Sequence, residues 1–206
     1  MGLFSFFKSA GPAYTDRVWK TTGMALRGMI TDAMLAIRQK QAPVVLCYFE
    51  DEFVRITQFL AEKGVPAVPL QDYKAAKQDG VVWFATSWSA PDFLPALKNE
   101  PVTLLFFGHY PLPSKENTLL EKIRAGIPTA SIVFYSSLDE PSFKMFGGER
   151  LTNMMNNMGM KEDEAIEHRM VTASMKRARE KVESMVRNEL PAASGAEWFS
   201  KNVKPV

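Results

Sequence analysis

The chain has 206 residues, 46% of them hydrophobic, enough for one well-filled core. Its 25 Lys and Arg against 23 Asp and Glu leave a formal charge of +2, which gives no overall electrostatic case for nucleic acid or an acidic membrane surface. A single cysteine excludes a disulfide framework and a Cys-based zinc cluster, and fits a reducing, cytoplasmic setting.

The opening stretch, MGLFSFFKSAG, is apolar but too short to span a bilayer, and it has no basic leader or small-residue cleavage site. Gly2 invites myristoylation, yet Phe6 stands where that motif needs Ser or Thr. Residues 1–14 are therefore expected to dock their Phe side chains on the domain, with membrane or partner anchoring as the minor alternative.

The next run, 15–43, spaces Met24, Ala25, Met29, Ala33, Leu35 and Ile37 as a helix that Pro43 closes. PVVLCYF is a short apolar run of the kind expected for a strand buried on both faces. DEFVRITQFLAEKG places Phe53, Ile56, Leu60 and Ala61 on one helical face, with Gly64 as its stop. VPAVPL predicts an edge or weak strand because of its prolines. VVWFATSW, PVTLLFFGHY and TASIVFYSSL predict three further strands. PSKENTLLEKIRAG predicts a helix between the last two, with Ser114 as N-cap and Gly126 as C-cap. Strands alternating with helices predict an α/β layer with a mainly parallel sheet, its functional edge at the C-terminal strand ends. After Asp139 the chain turns helical. One stripe carries Ile166, Met170, Ala173, Ala178, Val182 and Met185, with basic residues opposite. KRAREK (176–181) is expected to be a solvated, salt-bridged face, and the tail from Glu189 a loop in which Trp198-Phe199 needs a covering surface.

Two chemical sites are conceivable. Cys47 and His109 both end predicted strands and could form a nucleophile pair, although a strand Cys is more often packing. Glu167-His168 could be a ligand set, an acid/base pair or a helix start. It lacks a second His or Cys at zinc spacing and has no nameable nucleophile, so the helix start is the expected reading. No metal and no cofactor are expected.

The run SSLDEPSFKMFGGERLTNMMNNMGMKEDEAIEHRMVTASMKRAREKVES resembles the part of the preprotein translocase ATPase SecA that leaves its second motor domain and enters the scaffold helix. FGGERL and MGMKEDEAIEH are the most specific pieces. More weakly, DRVWKT, PVVLCYF, VVWFATSW and HYPLPSKENTLLEKIRAG follow the same domain, so the resemblance covers most of residues 15–186. It implies a three-layer RecA-like fold of the P-loop NTPase second-motor type with a helical C-terminal extension. The implied divisions are an apolar segment at 1–14, a degenerate motor domain at 15–140, the extension at 141–188 and a tail at 189–206.

The departures from that pattern matter most. After Ala85-Thr86 the Gly-Arg-Gly-Thr-Asp loop is missing, leaving Asp92 as a remnant. Of the arginines in the last motif only Arg124 remains, and no G-x-x-x-x-G-K-[ST] stretch exists anywhere. The resemblance then implies an ATPase-dead relative in which Ala85, Thr86, Asp92 and Arg124 are vestigial. Lacking neighbouring domains, it should bind protein, itself or a partner, through Met154, Met155, Met158, Met160, Ile166, Trp198 and Phe199. Completing a split translocation motor with another chain is the alternative.

Overall fold

The computed structural model describes residues 14–203 except 77, 147, 149–151, 154–160 and 162. Six strands form one parallel sheet in the order β1-β6-β5-β2-β4-β3. They are β1 (Thr15–Trp19), β2 (Ala42–Cys47), β3 (Ala67–Pro69), β4 (Val82–Thr86), β5 (Val102–Phe107) and β6 (Ser131–Ser137). The central strands β2 and β5 read Ala-Pro-Val-Val-Leu-Cys and Val-Thr-Leu-Leu-Phe-Phe, apolar toward both faces as a doubly covered parallel strand must be. β3 sits at the edge, where Pro69 costs no ladder bond.

Alternate residues of each strand feed two cores. Val45, Cys47, Leu105 and Phe107 pack with Met29 and Ile30 of α1 (Thr22–Arg38) and Ile56 and Leu60 of α2 (Glu50–Glu62). Val44, Leu46, Leu104 and Phe106 face the other way. They meet Leu94 and Leu97 beyond α4 (Ala90–Phe93) and Leu120 and Ile123 of α5 (Pro113–Gly126). The short α3 (Tyr73–Ala76) precedes β4. The result is the three-layer α/β architecture with a parallel sheet expected from the sequence.

A third cluster joins Val18, Leu138 and Phe143 of α6 (Pro141–Met145) to Ile166, Val171 and Met175. It attaches α7 (Arg169–Met185) to the sheet, and α8 (Gly195–Asn202) follows.

Four expectations are corrected. Residues 15–19 form β1 rather than the start of α1, because they hydrogen-bond in register with β6 from Thr15↔Val133 to Trp19↔Ser137. Ser114 lies inside α5, where its N–H and hydroxyl are taken by Glu183 instead of capping the helix itself, and the C-cap is Ile127 rather than Gly126. The stripe on α7 is Val171, Met175, Ala178, Arg179 and Val182, while Met170 is 58% exposed and Ile166 precedes the helix. The tail is not a loop: Ser194 accepts from Glu197 N at 3.1 Å and starts α8.

Candidate functional site

In this sheet β2 leads through α2 toward β3 and β4, whereas β5 leads through α5 to β6 on the other side. The two strands are neighbours, so the order reverses between them, and the crevice outside their C-terminal ends is where an open α/β sheet binds ligands. Tyr48 and Phe49 enter it from β2, and Gly108, His109 and Tyr110 from β5. Gly108 turns the chain there at φ +72°, a left-handed conformation that favours glycine.

Four buried charges converge beside this turn. Glu116, in the first turn of α5, receives Arg179 Nη1 at 2.6 Å, His109 Nδ1 at 2.9 Å, Tyr110 N at 2.8 Å and Tyr48 Oη at 3.0 Å. His109 Nε2 lies 3.1 Å from Asp16 Oδ1 of β1, and the imidazole stacks on Phe134 with ring centroids 4.1 Å apart. Burial alone would raise the Glu116 carboxyl, but His109 and Arg179 hold it down to about 2. Burial and Arg179 oppose the imidazolium of His109, yet the Glu116 charge and the bonds to Asp16 and Glu116 lift it to about 9. Two cations therefore balance two anions. Both imidazole nitrogens are engaged and the carboxylate is held ionised, so the cluster has no free base and no acid to deliver near neutral pH. It is a clamp joining β1, β5, α5 and α7.

On the α1–α2 side of the edge lies a cavity of about 210 Å³ whose walls include Asp51, Glu52, Arg55, His109, Asp139 and Glu140. That is small beside the ~300–1,000 Å³ of ordinary ligand pockets. Glu52 accepts from Tyr48 N at 3.1 Å and Phe49 N at 3.3 Å, tying off the amides that open α2. Asp139 accepts Thr22 N at 3.0 Å at the start of α1. Burial would raise Asp139, but bonds from Ser137 and Thr22 keep its carboxyl below its ordinary value, whereas burial pushes Glu140 up. Gly195, Ala196 and Phe199 of α8 line the same cavity.

The structure does not gather the vestigial motif residues here. Ala85 and Thr86 end β4, where Thr86 Oγ1 bonds Ser89 Oγ at 2.9 Å. Asp92 is exposed on α4, and Arg124 sits about three turns down α5 from the edge. The Cys47 thiol and the His109 imidazole are not brought together, and both imidazole nitrogens are engaged by Glu116 and Asp16. Cys47 packs in the α1–α2 core with its thiol pushed up by burial, and His109 stacks on Phe134 of the other core, so no nucleophile pair exists. His168 is a helix start: its Nδ1 accepts from Met170 N at 3.2 Å, while Glu167 bonds Arg17 Nε at 2.9 Å.

Of the expected partner-binding residues, Met154, Met155, Met158 and Met160 lie outside the described residues. Ile166 and Trp198 are not free surface, because the chain covers both. Ile166 bonds the Val18 backbone in both directions, and Trp198 is 1% exposed with Nε1 on Glu189 at 2.6 Å. Phe199 is half-buried against the cavity. The sequence reading missed the clamp. Its signal was Arg179 itself, four residues from Met175 and three from Val182, on the buried stripe rather than the solvated face.

Among the described residues there is no group of His, Cys, Asp and Glu that could hold a metal ion, and no helix long and apolar enough to cross a membrane. No family model matches the chain. The protein translocase subunit SecA of Acidithiobacillus ferrooxidans is 55% identical over 51 residues, 25% of this chain and 6% of that protein. SecA of Acinetobacter baylyi is 49% identical over 61 residues, 30% of this chain and 7% of its own length. Among solved structures, the C-terminal part of the Fun30 ATPase domain superposes with a TM-score of 0.43 at 9% identity, covering 78% of this chain and 54% of that one. The chain is thus an α/β protein that is similar to SecA over a segment of 51 to 61 residues, under a tenth of the length of those relatives.

Proposed function

We propose that the chain is a non-hydrolysing, SecA-like motor half of the cytoplasm that works through protein–protein contact. The observation that carries this reading is the state of the switch-point crevice. Where a motor domain would hold phosphates, the walls present Asp51, Glu52, Asp139 and Glu140 against Arg55 and His109, and α8 forms part of the lining. Each ionised carboxylate 4–8 Å from a phosphate charge opposes it by roughly 2–4 kcal/mol at an effective dielectric of ~20; Asp139, held below its ordinary value, supplies that repulsion, whereas burial pushes Glu52 up to about 8 and raises Glu140. A phosphate loop with its lysine, which could offset that repulsion, is absent from the sequence. The buried clamp, meanwhile, spends its charges on fixing α7 to the sheet.

Contact with protein is supported by exposed apolar side chains that flank the Met-rich run: Met145 is 43% and Met170 58% exposed. The partner is a second copy or another protein, with no nucleic acid required. Light scattering of the full chain across a dilution series tests this, alone and with candidate translocation components. Association that Met155→Glu weakens is the expected result. A chain that stays monomeric at high concentration and binds no component contradicts it. The SecA likeness also favours a second reading, in which the chain completes a motor with another chain that supplies the phosphate loop. That reading requires the mixture to hydrolyse ATP faster than the other chain does alone.

A further inference from the structure

β1 is an edge strand of the sheet, with β6 on one side and no strand on the other. In a parallel pair, alternate residues turn both backbone groups toward the neighbouring strand, and the residues between turn theirs away. Trp19 O accepts Leu138 N on the β6 side at 2.9 Å, whereas Val18 exchanges two bonds with Ile166 on the outer side, at 3.3 and 2.7 Å. Asp16 stands two residues before Val18, so its amide and carbonyl also face outward. Among the described residues neither group has a partner. The start of α7 is the reason. Ile166 fills one antiparallel rung, and Glu167 follows β1 far enough to bond Arg17 Nε at 2.9 Å. His168 then caps α7 and the chain leaves the edge, so the rung opposite Asp16 stays open.

A groove of about 610 Å³ lies at that rung, between β1 and the first half of α7, with Tyr14, Asp16, Arg169, Thr172, Lys176 and Arg179 in its lining. Edge strands are ordinarily guarded by charged side chains. Here both charges of β1 are tied to the body, Asp16 to His109 and Arg17 to Asp32 and Glu167. The charge left over in the groove is positive. Arg169 is exposed and has no acidic partner among the described residues, and Lys176 has Glu180 only at 3.9 Å. Beneath them Arg179, 5% exposed, keeps an Nε that no acceptor reaches among the described residues.

We propose that this groove takes an extended, acidic segment of a partner protein, which adds a strand beside β1 at Asp16 and sets its carboxylates against Arg169 and Lys176. Backbone pairing at an open sheet edge supplies affinity for any extended chain, and the surrounding charge selects which chain enters. A second copy paired edge to edge is the poorer occupant, because it would bring its own Arg169 and Lys176 against the same two cations. Neither the switch-point crevice nor the Met-rich run is needed, so the groove can fail this test while the proposed function stands.

The probe is a fluorescein-labelled octapeptide of alternating Glu and Val, titrated with the full chain and followed by anisotropy. Saturable binding is the expected result, weakened about tenfold or more by Arg169→Glu combined with Lys176→Glu. Both side chains are exposed and lie outside the buried clamp, and Arg177→Glu, exposed but not in the groove, should change binding less than about twofold. Amide exchange read by NMR should find the Asp16 N–H open in the free chain and protected in the complex. No saturable binding at millimolar peptide overturns the proposal. An octapeptide of alternating Lys and Val that binds as well also overturns it, as does binding that leaves the Asp16 amide open. An Asp16 amide protected without peptide, increasingly so with protein concentration, would overturn it in favour of a second copy.

Discussion

Arg179 decides more about this molecule than any other single side chain. It is 5% exposed, and removing it would leave the Glu116 carboxylate buried with half its cationic support gone. Breaking one partner of such a pair costs about 3–5 kcal/mol, so Arg179→Ala should lower the denaturant midpoint sharply. Arg177→Ala, two residues away on the exposed face, should stay within about 0.5 kcal/mol of the parent. Equal midpoints for the two variants would mean that the clamp does not bear on stability. The pH dependence follows from the same group. Glu116 is harder to protonate folded than unfolded, so its contribution is complete above the ordinary carboxylate range and drains away as pH falls toward about 2. His109 is easier to protonate folded, so its contribution is complete below the ordinary imidazole range and is lost as pH rises through about 9. The clamp alone would make urea midpoints highest between about pH 4.5 and 6.5, and Glu52, pushed up to about 8 by burial, subtracts as pH rises above the ordinary carboxylate range, so the maximum should lie at the acid end of that window. Midpoints that keep rising from pH 6 to 9 would contradict the clamp as a charged pair.

At the scale of elements, the strands were legible where they are buried on both faces and illegible where they carry polar work. β2, β4, β5 and β6 announce themselves as short apolar runs. β1 does not, because Asp16 and Arg17 interrupt it: one reaches His109, the other Asp32 and Glu167. α8 was hidden among Pro191 and Gly195, and only Ser194 with Glu197 marked its start. The inward face of α7 was read correctly at Ala178 and Val182 but not in its first turns, where Val171 and Met175 face inward rather than Met170, and Arg179 joins them. The packing of α1 on β1 makes its own prediction. A Cβ at Gly28 would fall 2.3 Å from the Trp19 indole, which is buried and stacked on Tyr135 at 5.6 Å. Helix propensity favours Gly28→Ala by ~1 kcal/mol, but overpacking against a fixed ring costs ~1–3 kcal/mol. The variant should therefore melt below the parent. A higher melting temperature would show that β1 and α1 are set further apart.

For the whole molecule, the α/β class and the parallel sheet were readable from alternation, and the SecA-like segment from its motifs. The clamp and the crevice were not, because Asp16, His109, Glu116 and Arg179 come from four elements that only the sheet order brings together. The central proposal is that this edge, lined by carboxylates, aromatic side chains and α8, does not serve nucleotide. Thermal melting of the full chain with and without Mg-ATP tests it most directly. Ligand at ~100 times its Kd would stabilise the fold by about 2.7 kcal/mol, a shift of several degrees. The account predicts superimposable curves up to millimolar ATP, and a saturable, dose-dependent rise in melting temperature would contradict it.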